Sequence, residues 1–199
     1  MIDRKTSKEI EVMREGGAKL GDILQKLLAF AQPGVRLLDT DALADRLIAV
    51  AGGTPSFKTV KGYKWATCLC VNEVVVHGIP TDYVLQDADV LTIDIGLAYG
   101  GFHTDTAWTK IVGNDTSFEA DEKERFLRAG EEALTKAIDL GRIGNRIGDL
   151  SASTQKIIES AGFGIVKSLV GHGVGRELHE DPQVPNYLRG ARENSYQFR

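Results

Sequence analysis

Two aspartates stand in the stretch of chain most plainly suited to a sheet: Asp94 in Val90-Leu91-Thr92-Ile93-Asp94-Ile95-Gly96 and Asp105 in Phe102-His103-Thr104-Asp105-Thr106-Ala107. A hairpin turn at Ala98-Tyr99-Gly100-Gly101 would set Asp94 directly opposite Asp105, with Cβ atoms about 4.5–5.5 Å apart. Two carboxylates held that close among apolar residues repel each other, and they share either a proton or a cation. A single strand aspartate is more simply an edge residue with its head in water. An opposed pair asks for a hard divalent cation, or two.

The four histidines stand near glycines or near these aspartates. His172 lies in Gly171-His172-Gly173-Val174-Gly175, where flanking glycines let backbone approach a ligand and let an imidazole reach a sheltered metal. His77 closes the apolar run Val74-Val75-Val76 just before Gly78-Ile79-Pro80, at what would be the mouth of a pocket. His103, two residues from Asp105, either supports a ligand from behind or stands exposed, and His179 follows in Glu177-Leu178-His179-Glu180. The glycines from 171 to 175 lack the spacing of a phosphate-binding loop. Cys68 and Cys70 are two apart with no second pair, which suits neither a disulfide framework nor a zinc knuckle and reads as reduced thiols.

The elements that position these residues follow from patterning. Thr6-Ser7-Lys8-Glu9 is a capping box, and Ile10, Met13, Leu20, Ile23, Leu24, Leu27 and Leu28 recur at helical spacing down to Pro33-Gly34. A second helix is predicted from Asp39 or Thr40 to Gly52-Gly53. Strands are predicted over Ala66 to Cys70, Glu73 to His77, Val90 to Leu97 and Phe102 to Val112. Helices return from Glu119 to Ile138 and from Ile147 to Ser160. Sliding the chain 110 residues along itself sets Gly34 on Gly144, Arg36 on Arg146, Asp39 on Asp149 and Gly52 on Gly162. That is a helix-turn-helix unit written twice, which predicts two similar α/β halves packed face to face.

Composition bounds the partners. The 199 residues carry 28 acidic against 24 basic side chains and 42% apolar residues, so no global basic field is present to hold nucleic acid. The apolar runs are far shorter than the roughly 20 residues of a membrane span, and the charged start from Met1 to Arg14 lacks the core of a signal peptide. The expectation is a cytoplasmic protein with neither nucleic acid nor membrane as its main partner.

Taken together, Val71-Asn72-Glu73-Val74-Val75-Val76-His77-Gly78-Ile79-Pro80, the Asp94 and Asp105 pair, and GHGVGRELHEDPQVPNY from Gly171 to Tyr187 closely resemble type I methionine aminopeptidases. Glu9-Ile10-Glu11-Val12-Met13-Arg14 and Gly144-Asn145-Arg146-Ile147-Gly148 extend the match from about Lys5 to Tyr187. The resemblance implies the α/β pita-bread fold with two pseudo-twofold-related halves, and a metalloexopeptidase that removes the initiator methionine from nascent proteins. It also implies two divalent metal ions, cobalt, manganese, iron or zinc, bound by Asp94 (first), Asp105 (bridging) and His172 (second), whose bridging hydroxide attacks the scissile carbonyl. By the same resemblance His77 and His179 are the catalytic, substrate-facing pair, and Tyr63, Cys68 and Leu178 line the methionine pocket. The implied substrate is the N-terminal methionine of nascent peptides, with the ribosome as a candidate partner and a monomer as the expected state.

The resemblance sets residues 1–188 apart as a truncated catalytic domain and 189–199 as a divergent tail. Two glutamates that complete the family's ligand set have no counterpart by context in Glu180 or Glu193. The expectation is therefore an incomplete second half and weakened hydrolysis. The competing expectation is a non-catalytic protein of the same fold that binds peptide, nascent chain or ribosome.

Overall fold

The structure, a computed structural model, describes residues 2–189 and 196–198. Most of the tail set apart above, Glu193 included, lies outside the described residues. The described residues divide into two units, one of residues 3–120 with 174–179, the other of residues 2, 121–173, 180–189 and 196–198.

The first unit opens with α1 (Ser7–Phe30). Its capping box forms as predicted: Thr6 Oγ1 accepts from the Glu9 N–H, and Glu9 Oε2 accepts from the Thr6 N–H. The Thr6 N–H and then the Thr6 hydroxyl, both donating to Glu9 Oε2, act ahead of the nearby Arg176 charge to hold the Glu9 carboxyl below the usual range. Next come α2 (Leu37–Val50), β1 (Thr54–Pro55), a short 3-10 turn (Ser56–Thr59), β2 (Thr67–Val71), β3 (Val90–Tyr99) and β4 (Phe102–Ile111). All sheet pairings are antiparallel; β1 and β2 lie end to end along one edge of β3, and β4 takes the other.

Strand alternation sorts β3 into two faces. Leu91, Ile93, Ile95 and Leu97 are fully buried, and they join Leu20, Ile23, Leu24 and Leu27 of α1 and Leu37, Ala44 and Ile48 of α2 in one core. Each such aliphatic side chain contributes about 1.5–3 kcal/mol by leaving water. Thr92, Asp94, Gly96 and Ala98 point from the opposite face. Two polar groups tie the layers together. Asp41 on α2, itself buried, accepts through Oδ1 from the N–H groups of Ala66 and Thr67 and from the Thr67 hydroxyl at 2.7–2.9 Å. Lys110 on β4 donates to the Leu28 and Ala31 carbonyls, supplying a cation to a helix end that has no basic residue in its own last turn.

One predicted strand is absent. Glu73 to His77 is a loop with Val74, Val75 and Val76 exposed. Its ends turn out of extended geometry at Asn72 (φ 54°) and His77 (φ 56°). Beside β2, the Leu69 N–H goes to the Gly78 carbonyl, so that edge is taken by the second residue after the valines. A Cβ at Gly78 would lie 2.2 Å from the Leu69 carbonyl oxygen, which is why glycine stands there.

The second unit holds α3 (Ala120–Leu140), α4 (Ile147–Ser160) and a two-stranded antiparallel ribbon of β5 (Val170–Gly173) and β6 (Glu180–Pro185). The repeat is real at the level of hydrogen bonds. α2 and α4 have equal length and are offset by the 110 residues of the sequence match. Gly34 and Gly144, and Gly52 and Gly162, take positive φ at matching turns. In the first unit the Gly34 and Leu37 N–H groups go to the Leu85 and Tyr83 carbonyls; in the second, those of Gly144 and Ile147 go to Phe198 and Tyr196. The short segment Tyr196–Phe198 thus does for α4 what Tyr83–Leu85 does for α2. The copies differ in burial: α1 buries a full stripe, whereas α3 buries Ala129 and Ala133 and leaves Leu134 and Ile138 at the surface. Among the described residues no helix is long and apolar enough to cross a membrane.

Candidate active site

The face of the sheet turned away from the helices carries the chemistry. β3 and β4 meet at a turn in which Gly100 (φ 58°) and Gly101 (φ 84°) are the two central residues, the positive-φ pair that a tight hairpin prefers. This corrects the predicted register. Asp94 pairs with Ala107, and Asp105 pairs with Gly96, so the aspartates are diagonal neighbours rather than directly opposed. The turn centre moved by one residue, which slides the pairing by two and keeps both carboxylates on one face.

They still meet. Burial, then the charge of Asp105, then a hydrogen bond with Asp105 push the Asp94 carboxyl above the usual range. The pair therefore keeps a proton to higher pH than an isolated carboxyl would, the first of the two resolutions open to crowded carboxylates. Gly96 makes room beside them: a Cβ there would lie 2.7 Å from Ser56 Cβ and 3.0 Å from the Phe57 ring. His103, further along the same face, has its Nδ1 2.9 Å from Ser56 Oγ.

Cys68 on β2 is the cross-strand partner of Asp94 on β3's other side. It is buried with Phe57 and Leu178, and Tyr63 packs against the three. The Tyr63 hydroxyl donates to the Thr67 carbonyl at 2.8 Å and lies 3.3 Å from Cys68 Sγ. Burial and the Asp94 charge push the Cys68 thiol up to about 11, so at neutral pH it is a soft apolar wall and not a thiolate nucleophile. Burial likewise raises Tyr63. Tyr63, Cys68 and Leu178, predicted as pocket residues, are thus brought together with Phe57, whose place in Pro55-Ser56-Phe57-Lys58 gave no signal.

The histidines are distributed differently. His77 is exposed on the β2–β3 loop, and His179 is exposed at the end of the 174–179 segment. His172 belongs to the other unit, half-buried on β5, with Nδ1 donating to the Gly173 carbonyl at 2.9 Å. That bond fixes the proton on Nδ1 and makes Nε2 the nitrogen with a lone pair. Among the described residues no three His, Cys, Asp or Glu side chains gather closely enough to hold a metal by themselves. Of the three predicted ligands, Asp94 and Asp105 are the two that the structure brings together.

Asp89 was not anticipated. Buried at the start of β3, it accepts from Asn72 Nδ2, the Tyr83 hydroxyl and the Gln86 N–H, and so clamps both ends of the loop that carries His77.

Comparison with known proteins gives the chain's relatives. Residues 11–197 match the family model described as metallopeptidase family M24. The chain is 41% identical to a methionine aminopeptidase of Clostridium perfringens over 96% of its own length and 76% of that protein's. Among solved structures it is similar to a methionine aminopeptidase from Thermotoga maritima, with TM-score 0.88, 41% identity, and coverage of 94% of this chain and 74% of that one. A prolidase from Pyrococcus horikoshii shares the fold, with TM-score 0.82 at 23% identity over 98% of this chain and 52% of its own.

Proposed function

The chain belongs to metallopeptidase family M24 and, within it, to the methionine aminopeptidases of pita-bread fold, and we propose that Asp94, Asp105 and His172 are the metal ligands of its methionine-removing chemistry. Asp94 would serve a first ion, Asp105 both ions and His172 the second. The observation that carries this reading is the Asp94–Asp105 pair: two carboxylates crowded on one half-buried face, one of them driven to keep a proton. A divalent cation relieves that crowding by replacing the proton. Manganese, iron, cobalt and zinc all suit an oxygen and imidazole donor set.

When bound, such ions would polarise a carbonyl and lower the pKa of a coordinated water toward neutrality. The chain's own groups do the rest. The pocket of Phe57, Tyr63, Cys68 and Leu178 takes the methionine side chain, its wall kept apolar because burial holds Cys68 and Tyr63 in their neutral forms. His77 and His179 face the substrate and steady the carbonyl oxygen as charge develops on it. The substrate is the N-terminal methionine of nascent chains, met in the cytoplasm and at the ribosome by a monomer.

The test is methionine release from a Met-Ala-Ser peptide with added manganese or cobalt, with Asp105→Ala as the blank. Release above the blank is expected. No release from a folded, metal-loaded sample refutes the reading for this chain.

A further inference from the structure

The segment Val174–His179 groups with residues 3–120, not with the ribbon strands that precede and follow it in sequence. Its backbone is irregular and carries Gly175, so little in its own conformation fixes where Leu178 comes to rest. Arg176 ties the segment to the start of the chain. The guanidinium bonds Asp3 through Nη1 and Glu9 through Nη2, and it stacks 5.3 Å from the centre of the Phe102 ring. One residue earlier, the Gly175 carbonyl accepts from the His103 N–H at 2.6 Å. Two residues later, Leu178 is 6% exposed against Phe57 and Cys68. An exposed arginine with one carboxylate partner contributes little. This one gathers two carboxylates and an aromatic face from chain more than 70 residues away, a network that defines a position.

We propose that Arg176 is a positioning residue: its ion pairs with Asp3 and Glu9 latch the 174–179 segment so that Leu178 closes over Cys68 and sets the width of the methionine pocket. This rests on the reading of Tyr63, Cys68 and Leu178 as that pocket. The head of α1 thereby governs a wall of a site it does not enter. Because the pairs are partly solvent-exposed, the latch loosens as salt rises and the screening length shortens.

The experiment reads closure without relying on turnover. The metal-free full chain is reacted with N-ethylmaleimide and the rate at each cysteine is followed by mass spectrometry. Cys70 is the internal reference, equally buried but bonded to the Gly78 N–H and outside the Leu178 cluster. Arg176→Ala is expected to label at Cys68 about tenfold faster, with Asp3→Asn severalfold faster, Arg176→Lys between wild type and Arg176→Ala, and Cys70 unchanged in all. Wild type in 1 M sodium chloride is expected to move toward Arg176→Ala, which itself does not respond to salt. In the metal-loaded enzyme Arg176→Ala raises KM for Met-Ala-Ser more than it lowers kcat. Equal Cys68 rates in wild type and Arg176→Ala overturn the latch, as does parallel acceleration at both cysteines. Protection of Cys68 by Met-Ala-Ser checks the pocket separately: an intact Arg176 effect without protection supports the latch and counts against the methionine pocket.

Discussion

Removing one carboxylate from the metal-free site should stabilise the protein. Asp94 and Asp105 are diagonal cross-strand neighbours on one face, and Asp94 is pushed up by burial, by the Asp105 charge and by their mutual hydrogen bond. With side-chain charges roughly 7 Å apart, as for a diagonal pair, and an effective dielectric near 20, the repulsion between two ionised groups is about 2.4 kcal/mol. Partial exposure brings the expected net effect to about 2 kcal/mol. A carboxyl raised in the folded state binds its proton more tightly there than in the unfolded chain. Its contribution is therefore fully present below the unfolded value of about 4 and is lost as pH rises through the raised folded value. Urea unfolding of metal-free wild type and Asp94→Asn, measured from pH 4 to pH 8, should diverge across that window, the variant gaining about 2 kcal/mol on wild type by pH 8. Taking the difference cancels the opposite slope of Glu9 and Asp39, whose carboxyls are lowered by Thr6 and Arg36 respectively. Manganese should reverse the order by stabilising wild type more. A difference that stays flat with pH, or a variant less stable than wild type at pH 8 without metal, refutes the account of the pair.

Asp41→Ala leaves the buried Ala66 and Thr67 N–H groups without their acceptor and should cost about 3 kcal/mol in urea unfolding, with Thr67→Val costing about 1. Gly96→Ala drives a methyl into Ser56 and Phe57; a loss of about 1–3 kcal/mol is expected, together with faster labelling of Cys68 as Phe57 shifts. Lys110→Met removes two hydrogen bonds to the end of α1 and should lower stability by about 1–2 kcal/mol, read as earlier amide exchange near Leu28 and Ala31. In calorimetric titration with manganese, Asp105→Ala should abolish binding more completely than Asp94→Ala, since a bridging ligand serves both ions; unchanged affinity in Asp105→Ala removes it from the site.

Much of this was legible because it rests on local pattern. The Thr6 and Glu9 box starts α1, and α4 runs over the predicted Ile147–Ser160. What failed did so where two local solutions compete or where a partner far away decides. Ala98-Tyr99-Gly100-Gly101 offers two turn centres. The hairpin takes the one that puts glycine at both positive-φ positions and spares Tyr99 that strain. Val74-Val75-Val76 has every intrinsic mark of a strand, but a strand needs a free edge, and Gly78 occupies the one beside Leu69. Asp41, Asp89 and Arg176 draw their importance from partners 25, 17 and 167 residues away, which no spacing within their own segments announces.

The interleaving of Val174–His179 with residues 3–120 also sets a schedule. When synthesis has passed residue 120, the sheet, Phe57, Tyr63 and Cys68 have all been made, yet Leu178 has not. At about 5–20 residues per second the missing wall arrives roughly 3–12 s later. For that interval the growing chain has made the floor of the hollow but not the Leu178 wall that covers it, so the pocket is among the last parts of the first unit to be completed.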